Sequence, residues 1–332
     1  MKHLGIGSKT KKKIIQSLSE DYYLVSNGYG LWICLSIMLP LIAGFGAASY
    51  LMEVSNYFAI IIVLVMGIYG YKTSFILHDC AHNSLFRSKN VNLWVGRVGG
   101  WFVGVNYDVF AATHILHHRN NGQELDPQDI EVRRFEGQSL SGKLWYIISP
   151  LFFGRVFEFL SGYSGQYLNK RPSTQSAPGV AELVKKTTPI WVFGTIGTQV
   201  FLGSIVSNFG ANPINLLLYP FAACTLALFL ARLRTLSEHI RPPGASEDFA
   251  RSHKPNWFDA LMLYDAHFNY HLEHHLVPHV PSNKLNSIFK TFGDDYHEPR
   301  TLGTSMVSTI FNNLGNPKTC PNHSVDRKKD HA

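Results

Sequence analysis

The chain has 332 residues, room for one large domain or two ordinary ones. Charged residues make up 16% against about 25% in soluble domains, and aromatics reach 13%, a balance that disfavours a soluble globule. The net charge of +7 forms no long basic stripe, so no nucleic acid is expected as partner, and contact with anionic membrane lipid is.

Residues 1–30 are polar, with Lys9, Lys11, Lys12 and Lys13 clustered. Gly5-x-Gly7-Ser8-Lys9 lacks the spacing of a phosphate loop. No secretory leader is expected, because the first apolar run begins near Leu31 and is too long for one. That run, Leu31 to Met52, is 22 residues without a charge, enough to cross a hydrocarbon core of about 30 Å. Pro40 within it is tolerable in a membrane helix. A second run lies between Glu53 and Lys72, densest at Phe58–Tyr71, and continues through Phe75-Ile76-Leu77 into His78.

Val91–Tyr107 and Leu144–Leu160 are apolar but short or interrupted by charge, and read as interfacial or re-entrant segments; buried core helix is an equal reading of the second. Asn169–Pro178 reads as a loop. Pro189–Ser207 and Ile214–Ala231 form a second apolar pair around the turn Ser207–Pro213. Gly315–Ala332 is polar, with disorder expected. None of Cys34, Cys80, Cys224 and Cys320 forms a C-x-x-C pair, so no disulfide framework is implied.

The expected fold is an all-α integral membrane protein. Four transmembrane helices form two hairpins beneath a cytoplasmic helical cap. The chain divides into a cytoplasmic segment 1–30, a membrane domain 31–300 and a polar C-terminal tail 301–332. The N-terminal lysines place both termini in the cytoplasm by the positive-inside rule. Only an even number of spans, four here, returns every histidine cluster to that same side.

Eight of the 16 histidines sit in three short boxes. The first is His78-Asp79-Cys80-Ala81-His82. The second is His114-Ile115-Leu116-His117-His118, and the third His271-Leu272-Glu273-His274-His275. Spacings of i, i+3 and i+4 place imidazoles on one helix face, the reach needed to hold metal from one side. Neutral imidazole suits iron, copper, zinc and nickel. Eight are too many for one ion and point to two. The chain has no Glu-x-x-His pair of the kind soluble di-iron bundles use.

The order HDCAH, HILHH and HLEHH between apolar hairpins resembles the membrane fatty-acid desaturase superfamily, over roughly residues 30–290. The resemblance implies two non-heme iron ions, O2 as co-substrate, and removal of hydrogen from an unactivated C–H bond. By it the ligands are His78, His82, His114, His117, His118, His271, His274 and His275. His239, after the fourth apolar run, matches a further ligand many members use. No catalytic residue is assigned beyond the metal ligands.

Asp79, Glu238, Asp265, Asn269 and Glu273 are placed to accept imidazole N–H groups; a cap, turn or solvated carboxylate is an equal reading of each. Asp126-Pro127 is reminiscent of the family and reads equally as a turn. His253, His267 and His279 lack motif spacing. No flavin or nicotinamide fingerprint and no fused cytochrome b5 motif occurs, so electrons are expected from a ferredoxin or free cytochrome b5.

The leading expectation is a desaturase acting on an acyl lipid, acyl-CoA or acyl carrier protein substrate. A fatty-acid hydroxylase or carotenoid ketolase or hydroxylase is the alternative, and a metal transporter the distant one. Against transport, spans one, three and four contain no histidine.

Overall fold

The computed structural model describes residues 8–123, 126–158, 179–212, 215, 217–242, 249–254, 256–263, 267–296, 301–303 and 305–314. The expected loop 169–178 and tail 315–332 lie outside these residues.

The first two apolar runs each become one long helix. Helix α2, Asn27–Val54, starts where the Ser26 side chain accepts the Tyr29 amide at 3.3 Å. Helix α3, Asn56–Ala81, follows after a single extended residue. The two pack side by side. The buried stripe of α2 is narrow: Ile33, Ile37, Leu41, Phe45 and Ala48 recur every three or four residues. The rest of its surface stays apolar although exposed, as with Trp32 and Leu39. A helix apolar all round suits a lipid environment.

The third run extends beyond its expected start into α8, Val180–Asn208. These helices have 28, 26 and 29 residues, about 39 to 44 Å at 1.5 Å per residue, longer than a hydrocarbon core of about 30 Å. The first histidine box closes the C-terminal end of α3. Three helices are thus long and apolar enough to span a bilayer.

The fourth apolar run is helical over its described part but differently bounded and built from three pieces. Against the expected Ile214–Ala231, the described chain forms a short helix α9, Leu218–Ala222, a π turn at Ala223–Ala227, and α10, Leu228–His239, in one continuous helical run. The helix runs past Arg232 and Arg234 because both charges find partners. Arg232 is buried and donates to the Tyr146 carbonyl at 2.7 Å and to Glu158 at 2.6 Å. Arg234 donates to Glu238 one turn on, at 2.9 Å.

Helix α4, Lys89–Val103, ends at Gly104 with φ 71°. Helix α5, Tyr107–Asn120, carries the second box and starts with the Asn106 side chain capping the Val109 amide. A Cβ at Gly96 would collide with the buried Tyr107 ring. Gly96→Ala is therefore expected to displace the start of α5 and to destabilise the protein by about 1–3 kcal/mol, the range for overpacking. Thermal unfolding in detergent against wild type checks this.

Helices α6, Asp129–Glu136, and α7, Leu140–Ile148, continue the cap. Helix α7 exposes Leu140, Leu144, Trp145 and Ile148 while burying Tyr146 and Ile147. Short helix α11, Trp257–Met262, precedes α12, His271–Leu276; α13, Ser282–Tyr296, and α14, Met306–Leu314, close the described chain. One element is outside an all-α expectation: Ser252–His253 pairs in parallel with Leu302–Gly303, two residues each.

Two apolar clusters position the site. One, with Leu41, Phe45, Met66, Leu202 and Tyr219, joins the long helices. The other packs Leu272 and Leu276 of α12 against Leu285 and Ile288 of α13 and against Ile14 of α1, Ser8–Ser17. The third box is thereby clamped from both sides.

Candidate metal centre

Four elements deliver nine imidazoles to one place. The end of α3 supplies His78 and His82, α5 supplies His114, His117 and His118, and α12 supplies His271, His274 and His275. His239, the last residue of α10, is the ninth.

They sort into two adjoining groups. His78, His82, His114, His118 and His274 offer ring nitrogens that all lie within 4.8 Å of one another. His118 Nε2 is 3.2 Å from His114 Nε2 and 2.9 Å from His274 Nε2. In the other group, His239 Nε2 faces His271 Nε2 at 2.9 Å, and His275 Nε2 lies 3.1 Å from His271 Nε2 and 3.3 Å from His117 Nε2. The His118 and His275 rings, with centroids 4.4 Å apart, join the groups.

The partition follows the helix period. Residues four apart stay together: His78 with His82, His114 with His118, His271 with His275. The residue at i+3 or its equivalent, His117 in the second box and His274 in the third, crosses to the other group. Successive residues are rotated by about 100°, so neighbours such as His117 and His118 must diverge.

Groups behind the rings fix their orientation. His117 Nδ1 donates to Asp126 at 2.8 Å, and Asp126 also accepts the Gly122 amide at 2.8 Å. His239 Nδ1 donates to the Phe249 carbonyl at 3.3 Å. His78 Nδ1 meets Asp79 at 3.2 Å, and Asp79 accepts from Ser282 at 2.7 Å. Glu238 lies 3.6 Å from His271 Nδ1, on the side of the ring away from His239. Glu238 also clusters with His239 and His271 as a possible ligand, and its oxygen stands near His271 Nδ1 at ion-pair rather than hydrogen-bond distance.

The remaining sequence candidates go elsewhere. Asn269 donates to the His253 carbonyl at 3.0 Å. Glu273 accepts from Tyr296 at 2.7 Å and from Ser252. Asp265 lies outside the described residues. His279 is exposed, its ring 6.3 Å from that of His82, and His267 is exposed too. Asp126, only a possible turn in the sequence, is a buried partner of His117; its signal was a carboxylate shortly after the second box.

The arrangement fits cations. With Nδ1 of His117 and His239 acting as donors, their Nε2 atoms present lone pairs, and these point at other Nε2 atoms. In the first group, His78 Nε2 and both nitrogens of His82 are buried with no hydrogen-bond partner. Such orphaned atoms call for an explanation, and a bound ion is one. Burial pushes His82 and His239 down to about 3, with neighbouring imidazoles adding to it, so both are neutral and ligand-competent at physiological pH. Burial lifts Asp126, but the His117 hydrogen bond and charge and the Gly122 and Gln128 amides together outweigh it and leave Asp126 below its ordinary value.

The sequence pattern of the fatty acid desaturase family matches residues 55–302. The chain belongs to this family. It is similar to a sphingolipid delta(4)-desaturase of Drosophila melanogaster, 23% identical over 79% of this chain and 74% of the relative. It is also similar to an sn-1 acyl-lipid omega-3 desaturase (ferredoxin) of Synechocystis, 24% identical over 74% of this chain and 70% of the relative. A ceramide hydroxylase of Caulobacter vibrioides is 24% identical over 53% of this chain and 56% of that protein. As a member of the fatty acid desaturase family the chain is an oxidoreductase, and its desaturase relatives act in lipid metabolism.

Proposed function

We propose that this fatty acid desaturase family member introduces a double bond into the acyl chain of a membrane lipid, using O2 and two non-heme iron ions. The observation that carries the reading is five imidazoles with nitrogens within 4.8 Å of one another beside four more, His117, His275, His271 and His239, linked by Nε2–Nε2 distances of 3.3, 3.1 and 2.9 Å.

In this reading His78, His82, His114, His118 and His274 hold one ion, and His117, His239, His271 and His275 the other. The ions would supply O2 activation and the oxidising power to break C–H bonds. The protein's part is orientation. Asp126, Asp79, Glu238 and the Phe249 carbonyl hold the rings with Nε2 inward, and the surrounding apolar clusters limit water. The overall balance is one O2, two electrons and two protons from solution, and two hydrogens from the chain, giving an alkene and two waters. An external carrier, a ferredoxin or cytochrome b5, would supply the electrons, and the relative whose name specifies ferredoxin supports the former.

The topology completes the proposal. The helical run 218–231 serves as a fourth, shorter crossing, its continuation to His239 emerges from the membrane, and the boxes and both termini lie on the cytoplasmic side. Exposed Trp257, Phe258 and Leu261 of α11 then face the membrane interface, beside the Leu263 carbonyl that accepts from Tyr71 of α3 at 2.7 Å. Aromatic residues concentrate at that level.

The hydroxylase reading has one specific support, the similarity to a ceramide hydroxylase. Both outcomes are read by one experiment: mass spectrometry of total lipids from a host expressing wild type or His274→Ala with a ferredoxin system. Loss of two hydrogens in wild type alone supports desaturation. A gain of one oxygen reassigns the chain to hydroxylation. An unchanged lipid profile in both, with ferredoxin present and ceramide and glycerolipid substrates supplied, refutes the membrane-lipid reading.

A further inference from the structure

Beside the two imidazole groups, against the His78 end of α3, lies the guanidinium of Arg234, largely buried with 11% of its side chain exposed. Its Nε donates to Glu238 at 2.9 Å, and the second oxygen of Glu238 stands 3.6 Å from His271 Nδ1. Its Cζ lies over two aromatic rings, 4.9 Å from the Phe75 centroid and 5.2 Å from the Phe268 centroid. Those rings stack on each other at 4.4 Å. Phe268 in turn lies near-perpendicular to the His78 imidazole at 4.8 Å. The Tyr71 hydroxyl donates to the Leu263 carbonyl.

Arg234 thus reaches both halves of the centre, each through one intermediary. We propose that Arg234 is a positioning residue that couples them: through Glu238 it orients His271, and through Phe268 it orients His78. The inference rests on reading the imidazole groups as metal ligands. Only arginine has the shape for it. A planar guanidinium can stack on aromatic faces and donate in its own plane at once, whereas an ammonium is a point charge. The cost of leaving a cation beside a cationic centre is offset by the Glu238 carboxylate and by the two ring faces.

The coupling predicts a pattern across variants, read by Co2+ binding to purified, metal-stripped protein in detergent, using chelator competition and the visible absorption of the bound ion. The single-ion spectra of His78→Ala and His271→Ala identify which equivalent belongs to which half. Glu238→Gln should weaken the His271 half alone, and Phe268→Leu the His78 half alone. Arg234→Gln should weaken both by about 10- to 100-fold, the range for partners behind metal ligands, and alter both spectra. Arg234→Lys retains charge opposite Glu238 but not the flat face, so it should restore the His271 half and not the other.

Circular dichroism and size-exclusion profiles establish that each variant is folded. Wild-type binding and spectra in Arg234→Gln, or damage confined to one half, overturn the proposal. If Arg234→Gln does not fold, Arg234→Lys decides: wild-type behaviour of the His78 half overturns it as well. A wild-type protein that binds no Co2+ removes the metal reading itself, and the coupling with it.

Discussion

His239→Ala is expected to lower bound iron from two ions per chain toward one and to reduce turnover by more than about 100-fold. His239 is the one proposed ligand that stands outside the three boxes, so the experiment tests geometry against motif. Its Nε2 lies 2.9 Å from that of His271, and its Nδ1 is occupied by the Phe249 carbonyl. The ring is therefore aimed inward by its surroundings and has no surface role to fall back on. Even partners behind a metal ligand cost about 10- to 100-fold when removed, so a ligand should exceed that. The effect should fall on kcat more than on KM, because no substrate-binding group is removed. Iron analysis and single-turnover assays of the purified variant check this. Two ions per chain with a near-normal rate would place His239 outside the centre.

The boxes were legible because a metal site of this kind writes itself into helical spacing. An i, i+4 histidine pair has few other uses in a buried helix. His239 was visible only through the family resemblance, since a lone histidine after an apolar run carries no pattern of its own. The sorting into five and four was not legible. It depends on how α3, α5 and α12 are rotated about their axes, which packing decides. Glu273 shows the limit from the other side. It sits inside the third box, yet one residue of rotation turns it away from His274 toward Tyr296 and Ser252.

The end of the fourth apolar run was misplaced for a related reason. Sequence hydropathy ends a span at charges such as Arg232, but it cannot see the Tyr146 carbonyl and Glu158 that neutralise this one in space. The same holds for Arg234. In sequence it is a topology marker, and in the folded chain its guanidinium is packed between rings and a carboxylate.

Acid should dismantle the centre, and the metal-stripped protein should lose stability steadily as pH falls below about 6.5. Burial, reinforced by neighbouring imidazoles or charges, holds seven imidazoles outside the spans below their ordinary value: His82, His114, His118, His239, His271, His274 and His275. In the unfolded chain each would titrate near about 6.5. Below that pH the unfolded form takes up protons that the folded form refuses, so stability falls with pH. For His82 and His239 the window runs from about 6.5 down to about 3. Glu238 acts in the opposite sense. Burial raises it to about 7 despite Arg234, so the folded form holds its proton more tightly and gains stability below that value. Glu136, also raised by burial, acts the same way, but two carboxyls against seven imidazoles do not reverse the trend, and Asp126, held low, adds to the loss. Bound metal should shift the acid transition to lower pH, because each ion stabilises the neutral rings. The check is the melting temperature of stripped and metal-loaded protein between pH 8 and pH 5, with proton uptake on unfolding measured at pH 5.5. A stripped protein whose melting temperature stays flat across that range would mean that these rings are not buried together as described.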